Sequence, residues 1–403
     1  MTAEIGIMNK SGIVLASDSA STIGDSKVYN TAKKLFTLDS MHSVGIMIYG
    51  NAEFNGIPWE IIITQYKKSI GSSVFNTLEE YADNFIEFVK TASFIRSEQT
   101  EQEQMIGVFQ KIISGLFESI EVDINFLISQ GTQIDKDVLV KLLQTKMNTN
   151  LSQQSQTFIL DIEKALFLSN YGEILKDILN SISTMEGVSE AISEEIQSYV
   201  YEIIIRDDVY SSPTGIVIAG YGRMDIFPKL YSYNMFGFVM NILKYSEYES
   251  AQIGNDNGSL RSTILPFAQS DVVNTVVQGV DPQITNYLSS QVDSFDDNGK
   301  NTYINIIKNI SEFQQNQFIF PLLNMIALLP VEETAIIAET LLNLTSFKRK
   351  YTTSVETVGG PIDVLAITPN DGPIWIKRKA LCQMMLVKRN LRIIWTEQKE
   401  ENL

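Results

Sequence analysis

The sequence has one cysteine, Cys382, and one histidine, His42, among its 403 residues. A single cysteine cannot form an intrachain disulfide, which fits a reducing compartment. A zinc site of nitrogen and sulfur ligands is nearly excluded, because such ligands are too few. His42 lies in a turn between two predicted strands, which argues against a Ser-His-Asp triad. We therefore expect neither a metal nor a cofactor.

Basic residues are also scarce. The chain has 31 Lys and Arg against 48 Asp and Glu, a net charge of −17, which argues against nucleic acid and anionic membranes as partners. The most apolar stretch, 318–329, is interrupted by Pro321 and Asn324 and is too short to span a bilayer. The first four residues lack the regions of a signal peptide. We expect a soluble cytoplasmic protein.

A threonine stands directly after Met1. Removal of Met1 would give Thr2 a free α-amine close to its own hydroxyl, and such an amine can act as the base that a hydroxyl nucleophile needs. Asp18 ends a predicted strand and Lys34 precedes another, and the spacing from Thr2 to Asp18 equals that from Asp18 to Lys34. These three residues are the candidate catalytic group.

The charges of this group suit an amine base. An α-amine has a reference pKa of ~7.7–8.0, so only a minority is neutral at pH 7. A lysine ammonium at 4 Å would repel the amine's positive charge by at most about 4 kcal/mol, or roughly three pKa units. A carboxylate would offset part of this and hold the lysine in place. We predict Thr2 as nucleophile and base, Lys34 as the residue that lowers the amine pKa, and Asp18 as the residue that orients Lys34.

At these positions the chain resembles the threonine peptidases of the N-terminal nucleophile (Ntn) hydrolase superfamily, such as proteasome β-subunits and the bacterial heat-shock-locus peptidase subunit. That family has an N-terminal threonine and strand, a second strand ending in Ala-x-Asp-Ser-x-x-Thr, and a later lysine before a strand. Residues 2–7, 15–22 and 33–36 follow this pattern without a gap. The resemblance implies an α+β fold, a four-layer αββα sandwich, and threonine endopeptidase activity.

The resemblance also implies further site residues. Residues 44–52 are similar to a family strand and glycine turn, whose backbone N–H at Gly50 would form an oxyanion hole. Ser21 and Thr22 would line the cleft and hold the substrate as an added strand. Ala52 would border the primary specificity pocket.

Later segments resemble the family as well. Residues 215–222 with 227–231 look like a hairpin of its second sheet, 331–338 like the helix before its last strands, and 358–367 like its closing Gly-Gly strand. The family often has an Asp and a Ser before Gly-Gly to support the amine. This chain has Val-Glu-Thr-Val at 355–358, so no supporting pair is assigned.

The chain is much longer than the compact subunits it resembles, and its length suggests two to three domains. Between the strand-rich parts, the apolar residues recur at helical spacing. We therefore predict an Ntn core interrupted twice: core 1–70, a helical insertion 71–211, core 212–250, a second helical insertion 251–330, and core 331–403 with the last helix, the last strands and a C-terminal tail.

Three functions are compatible with these residues. The first is a proteasome-like threonine peptidase acting on peptides or unfolded proteins. The second is a small-molecule amidohydrolase on the same fold. The third is a catalytically silent oligomeric scaffold, which is favoured if Met1 is retained. Because members of the family generally work as rings, we expect a homo-oligomer, and the sequence identifies no ATPase partner.

Overall fold

The computed structural model describes residues 2–23, 27–39, 41–182, 188–207, 210–256, 258–294, 296–352 and 358–379. Cys382 lies outside these residues. The strands are β1 Ala3–Asn9, β2 Gly12–Ser17, β3 Ser21–Ile23, β4 Lys27–Tyr29, β5 Leu35–Thr37, β6 Val44–Tyr49, β7 Glu53–Phe54, β8 Ile57–Pro58, β9 Thr214–Gly220, β10 Lys229–Val239, β11 Ile242–Gln252, β12 Ser262–Ala268, β13 Asp363–Thr368 and β14 Gly372–Lys377.

The α-helices follow the same numbering along the chain. They are α1 Trp59–Ile70, α2 Leu78–Thr91, α3 Glu98–Ser119, α4 Glu121–Ser129, α5 Lys136–Gln153, α6 Lys164–Ile182, α7 Val188–Ile204, α8 Asp271–Gln278, α9 Pro282–Ser290, α10 Asp297–Gln314, α11 Phe320–Ile326 and α12 Val331–Lys350. No helix among the described residues is both long enough and apolar enough to cross a bilayer.

Two antiparallel five-stranded sheets organise the strands. The first sheet has the order β12-β1-β2-β13-β14, and the second has the order β11-β10-β9-β6-β5. Two small hairpins, β3-β4 and β7-β8, stand apart from them. The mixed α+β class predicted from the sequence is confirmed.

The sheets pack face to face because their strands carry apolar residues on both faces. Side chains alternate along a strand, so Ile5 and Ile7 pack toward α8, α11 and α12, while Met8 packs between the two sheets with Val217 of β9. The outer face of the second sheet is covered by α1 and α2. The start of β1 is therefore enclosed by the core.

Strand β12 corrects the sequence-based expectation of a helical insertion over 251–330. The prediction of helix is wrong for the first part of that range. Strand β12 pairs antiparallel with β1 along its whole length and is an edge strand of the first sheet. Pro266 interrupts the sequence pattern of a strand, but an edge strand tolerates proline because it pairs on one side only. Helices α8 to α11 follow β12.

Helices of the range 71–211 divide between two cores. Tyr81 and Phe85 of α2 belong to the same apolar cluster as the second sheet, so α2 packs on the sheet although the sequence assigns it to the insertion. Helices α3, α5, α6 and α7 form a separate core that includes Phe109, Phe167 and Ile196. We call the segment α3–α7 the helical lobe.

A buried carboxylate joins the helical lobe to the second sheet. Glu101 of α3 accepts hydrogen bonds from the backbone N–H groups of Met240, at 2.6 Å, and Asn241, at 3.2 Å. Its Oε1 also accepts one from the Tyr171 hydroxyl at 3.1 Å. Met240 and Asn241 form the turn between β10 and β11 and have φ angles of 53° and 62°. One side chain thus satisfies the donors of a tight, left-handed turn.

Glu101→Gln is expected to lower the free energy of unfolding by about 2–3 kcal/mol, because the amide group cannot accept from both backbone donors and one of them stays unpaired. Urea unfolding followed by circular dichroism measures the change. Glu103→Gln, on the exposed side of the same helix, is the control and should stay within about 0.5 kcal/mol of the wild type. Equal stability of the two variants would contradict a role for Glu101 in joining the lobe to the sheet.

Candidate active site

The beginning of the chain is held from both sides in the first sheet. The carbonyl of Thr2 accepts a hydrogen bond from the Gln269 N–H at 3.2 Å, just beyond β12. The carbonyl of Ala3 accepts one from the Asp18 N–H at 3.1 Å, just beyond β2. Thr2 is 5% exposed. Two neighbouring strands therefore fix the backbone at the predicted nucleophile.

Asp18 connects three separate segments. Its Oδ1 accepts a hydrogen bond from the Ala3 N–H at 3.3 Å and also contacts the Lys34 ammonium group. Its Oδ2 accepts one from the Gly359 N–H at 2.9 Å. Asp18 is 2% exposed, and burial strengthens such charge-assisted contacts. The carboxylate therefore contacts Lys34, and its role in orienting that lysine stays a prediction.

The structure distinguishes two adjacent lysines. Lys34 precedes β5, its carbonyl accepts a hydrogen bond from the Ile48 N–H at 2.9 Å, and its buried ammonium group contacts Asp18. Lys33 has a side chain that is 42% exposed and pairs with Glu60 at 2.5 Å. Only Lys34 of these two reaches the buried site, and its electrostatic role stays a prediction.

Glu4 is a site residue that the sequence interpretation missed. The Thr2 hydroxyl donates a hydrogen bond to Glu4 Oε2 at 2.8 Å, and Glu4 Oε1 lies 3.3 Å from Lys34 Nζ. Glu4 is 1% exposed. Thr2, Glu4, Lys34 and Asp18 therefore form one buried polar group, which we call the Thr2 cluster. The structure brings the three predicted residues together, with Glu4 between Thr2 and Lys34.

A signal for Glu4 was present in the sequence. In the alternation of β1, Glu4 shares a face with Met8, which packs between the sheets. A carboxylate on such a face requires a partner, because an unpaired buried charge is strongly unfavourable. In the structure, Lys34 is the cation that pairs with Glu4.

The Thr2 cluster holds two carboxylates and one ammonium group. Burial raises the pKa of Glu4 from 4.5 to about 7, the Lys34 charge opposes this rise, and the Asp18 charge adds to it. Burial also raises the pKa of Tyr49, and the Glu4 charge contributes to that shift, which keeps the phenol neutral. A carboxyl group that gains and loses its proton near neutral pH thus touches the Thr2 hydroxyl.

The raised pKa predicts a fall in stability with pH. Between about pH 4.5 and pH 7 the folded chain keeps a proton on Glu4 that the unfolded chain releases, so the free energy of unfolding decreases as pH rises. The shift in the Glu4 pKa corresponds to about 3 kcal/mol of the free energy of unfolding. This contribution is present below about pH 4.5 and is lost above about pH 7. Glu4→Gln stays neutral and should lack this decrease.

Urea unfolding of both proteins at about pH 5 and about pH 8 tests this prediction. The stability of Glu4→Gln relative to the wild type should increase at the higher pH. Glu60→Gln, whose side chain is largely exposed, is the control and should show the same difference from the wild type at both values. A difference for Glu4→Gln that is independent of pH would contradict the raised pKa.

Gly50, the predicted oxyanion-hole residue, lies in the turn after β6. Its φ is 86°, and a Cβ there would lie 2.8 Å from the Pro213 carbonyl, so the turn requires glycine. The preceding residue, Tyr49, stacks on Phe267 with ring centroids 5.5 Å apart, and Phe267 is opposite Glu4 in the first sheet. The Gly50 turn therefore directly follows Tyr49, whose ring packs against the strand that pairs with β1 at Glu4. The oxyanion role of Gly50 stays a prediction.

The predicted substrate-binding residues lie on two other segments. Ser21 and Thr22 belong to β3, where they pair with Tyr29 and Val28 of β4. Ala52 is exposed, and its carbonyl accepts a hydrogen bond from the Trp59 N–H. Contact with a substrate stays a prediction for all three.

The Gly-Gly segment before β13 approaches the Thr2 cluster through Gly359. The φ of Gly360 is 76°, and a Cβ there would lie 2.7 Å from Asn30 Cβ, so this close approach requires glycine. Residues 355–357, where no supporting pair for the amine is assigned, lie outside the described residues.

Both ring nitrogens of His42 are at hydrogen-bonding distance from structural groups. Its ring nitrogens lie 2.8 Å from the Tyr81 hydroxyl and 3.0 Å from the Gly71 carbonyl, so it ties the segment before β6 to α1 and α2. In the described part of the chain, no three acidic, histidine or cysteine side chains are grouped to hold a metal ion.

No protein-family model matches this sequence, and no curated protein matches it either. Among solved structures, the helical assembly of the Anbu complex from Pseudomonas aeruginosa is similar over 100% of this chain and 96% of that chain. The sequence identity is 10% and the TM-score is 0.33. A likeness at this level assigns neither a family nor an activity.

Proposed function

We propose that the chain is an Ntn hydrolase of the threonine peptidase type, in which the Thr2 hydroxyl attacks peptide bonds after removal of Met1. The observation that carries the proposal is the Thr2 cluster, in which a backbone-anchored hydroxyl is hydrogen-bonded to a carboxylate beside a buried lysine. Two sheets packed face to face, with helices outside them, agree with the αββα sandwich that such enzymes use.

The proposed reaction has two stages. Thr2 Oγ attacks the carbonyl carbon of the substrate, the α-amine acts as base, and the leaving amine departs to give an acyl ester. Water then hydrolyses the ester and regenerates the hydroxyl. Lys34, fixed by Asp18, provides the positive charge that keeps the amine from being protonated. The backbone N–H of Gly50 stabilises the oxyanion that forms in each stage.

An extended peptide or unfolded protein segment is the proposed substrate. Strand β3 pairs with β4 and, within the described residues, with no other strand, so its second edge can accept an added strand. Backbone hydrogen bonds from Ser21 and Thr22 would then hold the peptide, while Ala52 borders the pocket for one side chain. No ATPase partner is assigned.

We also propose a homo-oligomer. Helices α9 to α12 expose many large apolar side chains, and such surfaces in soluble proteins often mark interaction sites. These side chains are Ile284, Tyr287, Ile304, Ile306, Ile310, Phe313, Phe320, Met325, Ile336, Leu344 and Phe347. Sedimentation of the purified protein should give a mass that is a multiple of 45.3 kDa, whereas a monomer at all concentrations would contradict the proposal.

Covalent labelling tests the proposed nucleophile. Intact mass and N-terminal sequencing first establish that Met1 has been removed. A peptide β-lactone should then acylate one residue, and peptide mapping should locate the adduct at Thr2. Hydrolysis of a peptide library, compared with non-peptide amides, identifies the substrate class. Trimmed protein without an adduct or hydrolysis would contradict the proposal and favour a silent scaffold.

A further inference from the structure

We infer that Glu4, rather than the α-amine, accepts the proton of the Thr2 hydroxyl when Thr2 attacks. This inference rests on the proposed function, because it keeps Thr2 as the nucleophile and changes the base that activates it. Glu4 would thereby be a catalytic residue in direct contact with the reacting oxygen.

The backbone sets the geometry of this pair. Thr2 and Glu4 are two residues apart on an extended segment, so their side chains lie on the same face. Thr2 Oγ donates to Glu4 Oε2 at 2.8 Å, within the range of 2.6–3.2 Å in which a general base can take a proton. The carbonyls of Thr2 and Ala3 are both hydrogen-bonded to neighbouring segments, which fixes the positions of the two side chains.

The surroundings suit a carboxylate base. With Met1 in place, the charged and titratable groups that face Glu4 are Lys34 and Asp18 of the Thr2 cluster and Tyr49 from the second sheet, while Ser17 of β2 lies opposite it. Removal of Met1 adds the α-amine of Thr2, two residues away from Glu4 in the chain. With Met1 in place, burial raises the pKa of Glu4 to about 7. After removal of Met1, a neutral α-amine leaves this pKa in the range where general-base catalysis is most efficient, whereas a protonated α-amine would lower it. Lys34 limits this rise and keeps a useful fraction of Glu4 ionised.

The proton balance closes within the Thr2–Glu4 pair. As Thr2 Oγ forms a bond to the substrate carbonyl carbon, its proton moves to Glu4 Oε2, which gives a neutral carboxylic acid. When the C–N bond breaks, Glu4 returns this proton to the leaving amine. In the second stage, Glu4 takes a proton from the attacking water and passes it to Thr2 Oγ as the ester bond breaks. Glu4 ends each cycle as the carboxylate.

The temperature dependence of the pH–rate profile distinguishes the two bases in the unmodified protein. We propose to measure single-turnover acylation of trimmed wild type by the peptide β-lactone from about pH 5.5 to about pH 8.5, at two temperatures. If Glu4 is the base, the rate rises with a midpoint near pH 7 that shifts little on warming, because carboxyl ionisation has a small enthalpy. A midpoint that falls clearly on warming belongs to an amine and would overturn the inference.

Glu4→Gln provides a second, independent measurement. The amide cannot accept the proton, so acylation should slow by about 100-fold or more, and the rise near pH 7 should disappear. Glu60→Gln is the matched control and should keep the wild-type rate and profile. Glu4→Gln that reacts at the wild-type rate, with the same rise, would overturn the inference.

The outcomes separate this inference from the proposed function. If neither wild type nor Glu60→Gln is acylated at Thr2, the proposed function fails, and the role of Glu4 fails with it. If wild type is acylated and Glu4→Gln behaves identically, the role of Glu4 alone fails. A merely structural role would lower the rate of Glu4→Gln without removing the rise near pH 7, and this result would also count against the inference.

Discussion

Replacing Thr2 with alanine is expected to reduce peptide hydrolysis by roughly 10³-fold or more, because the variant has no oxygen with which to form the acyl ester. The same variant should give no adduct with the β-lactone. Folding should change little, since the loss is one hydrogen bond to Glu4, worth about 1–2 kcal/mol. Hydrolysis of a fluorogenic peptide, with intact mass after labelling, measures both effects.

Thr2→Ser is the matched control for this substitution. Serine keeps the hydroxyl and is also small enough to permit removal of Met1, so hydrolysis and the adduct should both persist. If Thr2→Ala hydrolyses peptides as fast as the wild type, the nucleophile lies elsewhere and the proposed function is wrong. Sequencing of the N-terminus in all three proteins ensures that they are compared in the same trimmed form.

Replacing Lys34 with methionine is expected to affect stability and activity together. Methionine matches the length of the lysine stem but removes the charge, which leaves Asp18 and Glu4 buried without a cation. Loss of one partner from a buried ion pair lowers the free energy of unfolding by about 3–5 kcal/mol. Hydrolysis should fall by about 100-fold or more, because neither the amine nor Glu4 would then have a pKa suited to neutral pH.

Lys33→Met is the control that the chain itself offers. Lys33 is adjacent in sequence but pairs with Glu60 at the surface, and exposed pairs contribute about 0–1 kcal/mol. The double variant Lys34→Met with Glu4→Gln should recover part of the lost stability without recovering hydrolysis. If Lys34→Met and Lys33→Met were equally stable and equally active, Lys34 would have no special role.

Local features of the site could be predicted from the sequence. Apolar runs separated by turn residues indicate four strands, β1, β2, β5 and β6. Asp18 follows β2 directly, and Lys34 directly precedes β5. The α+β class is implied by the family resemblance that these segments carry. Such features depend on residues close together in the chain, which is why one sequence suffices to recognise them.

Features that depend on distant segments were missed. Nothing near Ser262–Ala268 indicates that this segment pairs with β1, because a strand's partner is chosen by the packing of the whole sheet. The placement of α2 on the second sheet likewise depends on which apolar surface is available to it. The range 251–330 was therefore predicted as helical although it contributes a strand to the core.

Local sequence was enough to select the candidates: a threonine next to the initiator, an acidic residue and a lysine at the ends of strands, and a chain with one histidine and one cysteine. The burial of Lys34 rather than Lys33, and the contacts of Glu4 with Lys34 and with the Thr2 hydroxyl, depend on the folded arrangement of distant strands. The physical reason is that charge partners and pKa values depend on burial and on contacts across two sheets, neither of which is encoded in local spacing.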